Sequence, residues 1–157
     1  MLNPAMNDNS SDAARKYVQL TLGRTRLLFP SSELLALEAT PEIGSAGENG
    51  SVGRVRVRDA ILPLYNFDEQ LHLLHEAQDD RRGCACLGDE SKAMGILCDK
   101  AEVVDGTGIQ MVPLPGCMKS VNTPVQALAL QGTRVLCVCT MKDMASLIEV
   151  LLGRGIP

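Results

Sequence analysis

The sequence predicts an all-β chain built from small β-barrels, two of them sharing one core, and closed by a C-terminal helix. Three observations predict it. Short runs alternate polar and apolar residues with the period of a strand. Turn signals recur roughly every 8–12 residues, the spacing of sandwiches and barrels. Hydrophobic residues make up 45% of the 157 but aromatics only 3%, with no Trp, so the core must come from Leu, Val, Ile, Ala and Met. A chain of this length is one domain and buries enough surface to need no metal or disulfide staple.

Residues 1–14 (MLNPAMNDNSSDAA) are polar and aperiodic and read as a disordered tail. Tyr17, Gln19 and Thr21 then alternate with Val18, Leu20 and Leu22. With the Gly23-Arg24 turn signal and a second run over 25–29, residues 16–29 form a hairpin. Pro30-Ser31-Ser32 opens a helical turn over 33–35, which Ser32 is placed to cap. Residues 40–51 (TPEIGSAGENGS) form a connector with no basic residue and no phosphate-loop pattern.

Along 52–58, Val55 and Val57 face one way and Arg54, Arg56 and Arg58 the other. A strand follows over 60–65, and its Pro63 requires an edge, a bulge or a strand start because proline donates no ladder bond. Asn66 with Glu69 three residues later has capping-box spacing. It predicts a short helix carrying Phe67, Leu71 and Leu74 on one stripe. Residues 78–83 (QDDRRG) read as a charged turn.

Strands are expected over 84–87, 92–98, 101–104 and 109–112. Residues 117–124 form an irregular link, and 125–130 and 133–139 a hairpin around Gln131-Gly132. Thr140 with Asp143 caps a final helix over 141–152. Met144, Leu147, Ile148 and Leu151 form its apolar stripe, and Gly153 terminates it.

The chemistry narrows further. A net charge of −4 and a pI near 5.1 give no bulk attraction to phosphate backbones or anionic lipid, and scarce aromatics remove base-stacking platforms. Neither a basic start followed by an apolar run nor a stretch of about 18 apolar residues occurs, so a cytoplasmic chain without membrane insertion or nucleic-acid partner is expected. No nucleophile elbow, Walker, dinucleotide-binding or zincin pattern is present. His72 and His75 fall on or just after the expected helix after Asn66 without a third ligand and read as solvated. Cys84 and Cys86, like Cys137 and Cys139, form C-x-C pairs. If their strands pair, four thiols cluster and a zinc or thiol site becomes the competing reading; otherwise they are small core residues of a reducing compartment. Binding, not turnover, is the function left.

Residues 53–67 (GRVRVRDAILPLYNF) resemble the motif of the CheW-like family, roughly G-x-x-N-L-R-G-x-I-x-P-x-x-D-L, matching at Gly53, Arg58, Ile61 and Pro63. Residues 94–104 (MGILCDKAEVV) resemble its G-hydrophobic-hydrophobic-V-D-x-V-x-x-V element, and 111–115 (MVPLP) its I-x-P-x-P element. Arg56 stands at the motif's Asn, Asp59 at its second Gly and Asn66 at its Asp, so the chain resembles a divergent member. The resemblance covers about residues 16–152 and implies one domain over 15–153, two interlocked five-stranded SH3-like barrels with a short internal helix and a C-terminal helix.

It also implies an adaptor without activity or cofactor. Such an adaptor contacts the regulatory domain of a CheA-like histidine kinase and the cytoplasmic tip of a methyl-accepting chemoreceptor, here in a pilus-type or other specialised chemosensory system. By position, Arg58 matches the coupling arginine, and Arg56 shares its strand face. Leu34 matches an apolar position near the groove between the barrels. Ala101 and Val104 match positions on a strand lining that groove.

Overall fold

The computed structural model describes residues 15–37, 41–44, 50–77, 81, 83–88, 92–119 and 123–153. The expected N-terminal tail lies outside them. The strands are β1 (Lys16–Leu22), β2 (Thr25–Pro30), β3 (Leu34–Ala36), β4 (Pro41–Ile43), β5 (Gly53–Val57), β6 (Ala60–Phe67) and β7 (Leu73–Leu74), then β8 (Gly83–Gly88), β9 (Ala93–Cys98), β10 (Lys100–Asp105), β11 (Gln110–Pro113), β12 (Val125–Gln131) and β13 (Arg134–Cys139). Among the described residues one α-helix, α1 (Met141–Leu151), follows.

Two sheets curl into barrel-like halves. The first runs β10-β1-β2-β13-β12-β11, the second β3-β8-β9-β6-β5-β4 with β7 paired to β6. Neighbours are antiparallel except β2 with β13 and β6 with β9. The first half is thus made from both ends of the described chain and the second from its middle, which interlocks them.

The strand periodicity explains the layers. On β1 and β2, Val18, Leu20, Leu22, Leu27 and Phe29 enter a core shared with Phe67, Ala85, Leu87, Met94, Ile96 and Cys98 of the second sheet. The alternate residues Tyr17 and Leu28 enter the first barrel's own core with Ala129 and Leu136. On β8 and β9, Cys84, Cys86 and Leu97 turn the other way, into the second barrel's core with Val52, Val55, Leu62 and Leu64. β1, β2, β8 and β9 are therefore buried on both faces, and even Gln19 is only 4% exposed.

Two glycines permit the close packing. A Cβ on Gly95 would stand 2.7 Å from Val55 Cγ1, inside the second core. One on Gly53 would stand 2.1 Å from the Glu42 carbonyl oxygen of the neighbouring strand, a physical reason for the glycine that opens the 53–67 motif. Pro63 stands where β6 has one neighbour, since β6 meets β9 at Leu64 and Tyr65.

α1 forms as expected. The Asp143 N–H donates to Thr140 Oγ1 at 3.2 Å, and the Thr140 hydroxyl donates to Asp143 Oδ2 at 3.0 Å, satisfying groups a helix start otherwise leaves orphaned. A distant residue adds a second cap: the Met141 N–H donates to Glu33 Oε1 at 2.8 Å. Met141, Met144, Ala145, Leu147 and Ile148 then bury against the shared core.

The expected helix after Asn66 does not form. β6 runs on through Phe67, and Asn66 and Phe67 pair with Leu74 and Leu73 of β7. Asp68 is responsible: its Oδ1 accepts the N–H groups of Gln70 at 2.8 Å and His72 at 2.9 Å, closing a tight loop. Leu71 completes it at φ +62°, which no helix allows. Partial burial raises the Asp68 carboxyl, but those two N–H bonds together with the His72 imidazole outweigh it and hold the carboxyl below its ordinary range. His72 and His75 consequently sit exposed, off any helix, with His72 Nδ1 3.3 Å from Asp68 Oδ2. The helical turn before β3 is a 3₁₀ turn over Ser31–Glu33 without a side-chain cap, so Ser32 does not serve there.

Candidate partner-binding groove

At one edge of the second barrel, β3, the β5–β6 hairpin and the start of β9 enclose a cavity of about 490 Å³. Leu34 and Leu35 of β3 form one wall, Val57, Leu62 and Ala93 the floor, and Arg58, Asp59 and Ala60 the rim. The floor packs directly on the second core. Leu35 is 42% exposed, more than an aliphatic side chain needs to be when a core lies beside it.

Arg58 reaches the rim through the hairpin turn. Val57 pairs with Ala60, leaving Arg58 and Asp59 as a two-residue connection, which takes positive φ at one or both positions. Arg58 supplies it at φ +54°, at a cost of roughly 1–2 kcal/mol for a residue with a Cβ. It is therefore a turn residue, not the last of a strand-face triplet of arginines. Both Arg58 and Asp59 are exposed, so a charged turn borders an apolar trough.

The structure brings Leu34 and Arg58 to this groove and places the other candidates elsewhere. Arg56 is exposed on the outer face of β5, paired across from Ile61, itself 55% exposed. Its neighbour Arg54 is bound to Glu42 at 3.1 Å, both largely in water, a pairing worth little. Ala101 and Val104 lie on β10 in the first sheet, three residues apart and hence on opposite faces. Ala101 packs on the shared core and Val104 on the first barrel's core.

Two features escaped the sequence reading. Leu35, Leu62 and Ala93 line the groove but carry no distinguishing pattern. Arg81, read as part of a charged turn, is buried at 8% exposure. Its guanidinium donates to Asn66 Oδ1 at 2.7 Å and to the Phe67 carbonyl, and lies 3.4 Å from Asp99 Oδ1. Asp99 Oδ2 accepts the Gly23 N–H of the β1–β2 turn at 2.6 Å. Arg81 thus ties the end of β6 to the first barrel's hairpin through one carboxylate.

The cysteines separate. β8 and β13 belong to different sheets, so the strand pairing needed for a four-thiol cluster is not met. Cys84 and Cys86 lie in the second core, Cys137 and Cys139 at the shared one. Burial pushes the Cys98 thiol up to about 12 and raises those of Cys137 and Cys139. Among the described residues no group of three or more His, Cys, Asp or Glu gathers as metal ligands.

Interlocked barrel-like halves with a terminal helix packed on the shared core define a class: this is the CheW-like fold. The chain superposes on the scaffolding protein TtCheW from Thermoanaerobacter tengcongensis with a TM-score of 0.61, covering 80% of this chain and 88% of that one at 15% identity. No family model and no curated protein sequence matches the chain. At that identity the likeness establishes the fold, and function must come from the surface.

Proposed function

We propose that the chain is a cytoplasmic, non-catalytic chemosensory adaptor that couples methyl-accepting receptors to a CheA-type histidine kinase in a specialised, pilus-type or related system. The observation that carries this reading is the groove itself: an aliphatic wall and floor with the Arg58 guanidinium at the rim. A helix docks by laying an apolar stripe in such a trough. A planar guanidinium at its edge adds bidentate recognition of a carboxylate, which a lysine would not reproduce. The CheW-like fold and the match of Arg58 to the family's coupling arginine support the same reading. Among the described residues no helix is long and apolar enough to cross a membrane.

The test is co-sedimentation with receptor-containing membranes and the cognate kinase. Arg58→Ala and Leu35→Asp should each reduce capture at least several-fold, while leaving the unfolding midpoint nearly unchanged, because surface substitutions shift stability by about 0.5 kcal/mol or less. Full retention by both variants would remove the groove from the interface.

A further inference from the structure

Cys84 and Cys86 sit two residues apart on one face of β8, at 2% and 0% exposure, in the core that forms the groove floor. Their thiols share that face and couple electrostatically. The other C-x-C pair differs: the Cys139 thiol points at the Cys137 carbonyl oxygen, 3.9 Å away. On its outer side Cys86 is covered by β3, pairing with Ala36 beside a break in register between Leu34 and Ala36. β3 is three residues long and lies at the sheet edge. A short, irregular edge strand opens at far lower free energy than the whole fold.

We propose that Cys84 and Cys86 are a redox modification site, closing to a C-x-C disulfide by exchange with a small-molecule disulfide of the glutathione class when β3 lifts. The Cys86 thiolate attacks one sulfur of oxidised glutathione and expels a glutathione thiolate. Cys84, losing its proton to solvent, attacks the Cys86 sulfur of the mixed disulfide and expels the second. Two protein thiols lose two electrons, and one oxidised glutathione becomes two reduced molecules that take up the two protons. The order follows from position: Cys86 is the residue paired with β3, so lifting β3 uncovers it first.

The product is an uncharged, apolar group suited to this core, but β8 cannot hold it unchanged. Alternate Cα atoms of an extended strand are roughly 6.8 Å apart, the outer limit of what a disulfide spans. β8 must buckle at Ala85, Cys86 must leave Ala36, and β3 loses its partner. Oxidation therefore dismantles the Leu34–Leu35 wall of the groove, and the strain keeps the disulfide readily reducible. This inference stands on β8 and β3 alone and holds whatever partner the groove takes.

The test uses the full chain, titrated with oxidised against reduced glutathione, alkylated, digested and mapped by mass. The peptide holding residues 84–86 should lose two hydrogens, and Cys84→Ser should instead trap a glutathionyl group on Cys86. Amide exchange over 34–36 should rise at least tenfold in the oxidised protein, and the disulfide should form at a rate flat in denaturant below the unfolding transition. Exposed Cys117 reports an unprotected thiol in the same sample. A peptide that keeps both thiols at every glutathione ratio overturns the proposal. So does a disulfide that forms only where denaturant unfolds the entire chain.

Discussion

The two barrels share a core yet end differently. The first barrel's edge strand β10 pairs with β1 in unbroken register from Lys16 with Asp105 to Thr21 with Lys100. The second barrel's edge strand β3 meets β8 at two residue pairs with a break in register between them. The first barrel fills its interior with Tyr17, Leu28, Ala129 and Leu136. The second packs Cys84 and Cys86 among Val52, Val55, Leu62 and Leu64 around the close approach at Gly95, and its apolar floor runs out into a groove. An apolar trough arises here where a core stops at a short, broken edge strand, while the firm barrel supplies the frame.

The largest perturbation should ignore that difference. Phe67 is fully buried in the shared core, and Phe67→Ala should cost about 3–5 kcal/mol. Urea unfolding followed by probes in each half should still show one coincident transition; two transitions would mean that the barrels are independent. Gly95→Val should cost about 1–3 kcal/mol by overpacking. Its amide-exchange losses should concentrate on β5, β8 and β9 and spare β12. Arg81→Leu removes the donor to the Asn66 and Phe67 oxygens, at about 1–3 kcal/mol, and should raise exchange at the Gly23 amide through loss of the Asp99 contact.

Arg58→Gly should separate stability from binding. Relief of the positive φ leaves the unfolding midpoint equal to or above that of the parent, while partner capture falls as with Arg58→Ala. A fall in the midpoint would show that the arginine stabilises the turn. The smallest effect concerns acid. The lowered Asp68 carboxyl stabilises the fold above its unfolded value and loses that contribution as pH falls through the folded value. Asp68→Asn should flatten the stability profile below about pH 4, with the change confined to the β6–β7 loop by amide exchange.

Much of the fold was legible because period-two alternation reports burial directly. Val18, Leu20 and Leu22 against Tyr17 and Gln19 foretold a strand with two distinct faces, though not that both would be buried. The Thr140–Asp143 pair announced α1 for a local reason, since a cap needs partners three residues apart. Locality also misled. The Asn66–Glu69 spacing had capping-box form, yet Asp68 closed the chain into a hairpin within the same few residues. Arg81 was illegible because its acceptors lie 14–18 residues away in sequence and meet it through the sheet. In the groove, Arg58 and Leu34 were reached through motif resemblance, and Leu35, Leu62 and Ala93 became visible once β3 stood beside the β5–β6 hairpin.

The parallel seam between β2 and β13 sets an order of events at the ribosome. Leu27 finds Cys137, a contact that nearly the whole described chain must be made to reach, and closing so large a loop is slow. The middle segment, by contrast, closes its pairings over shorter spans, the longest running from Leu34 to Leu87. The second barrel can close while the hairpin of β1 and β2 waits with one flank bare, and β13 and then α1 with its Glu33 cap, which follow it in the chain, lock the assembly shut.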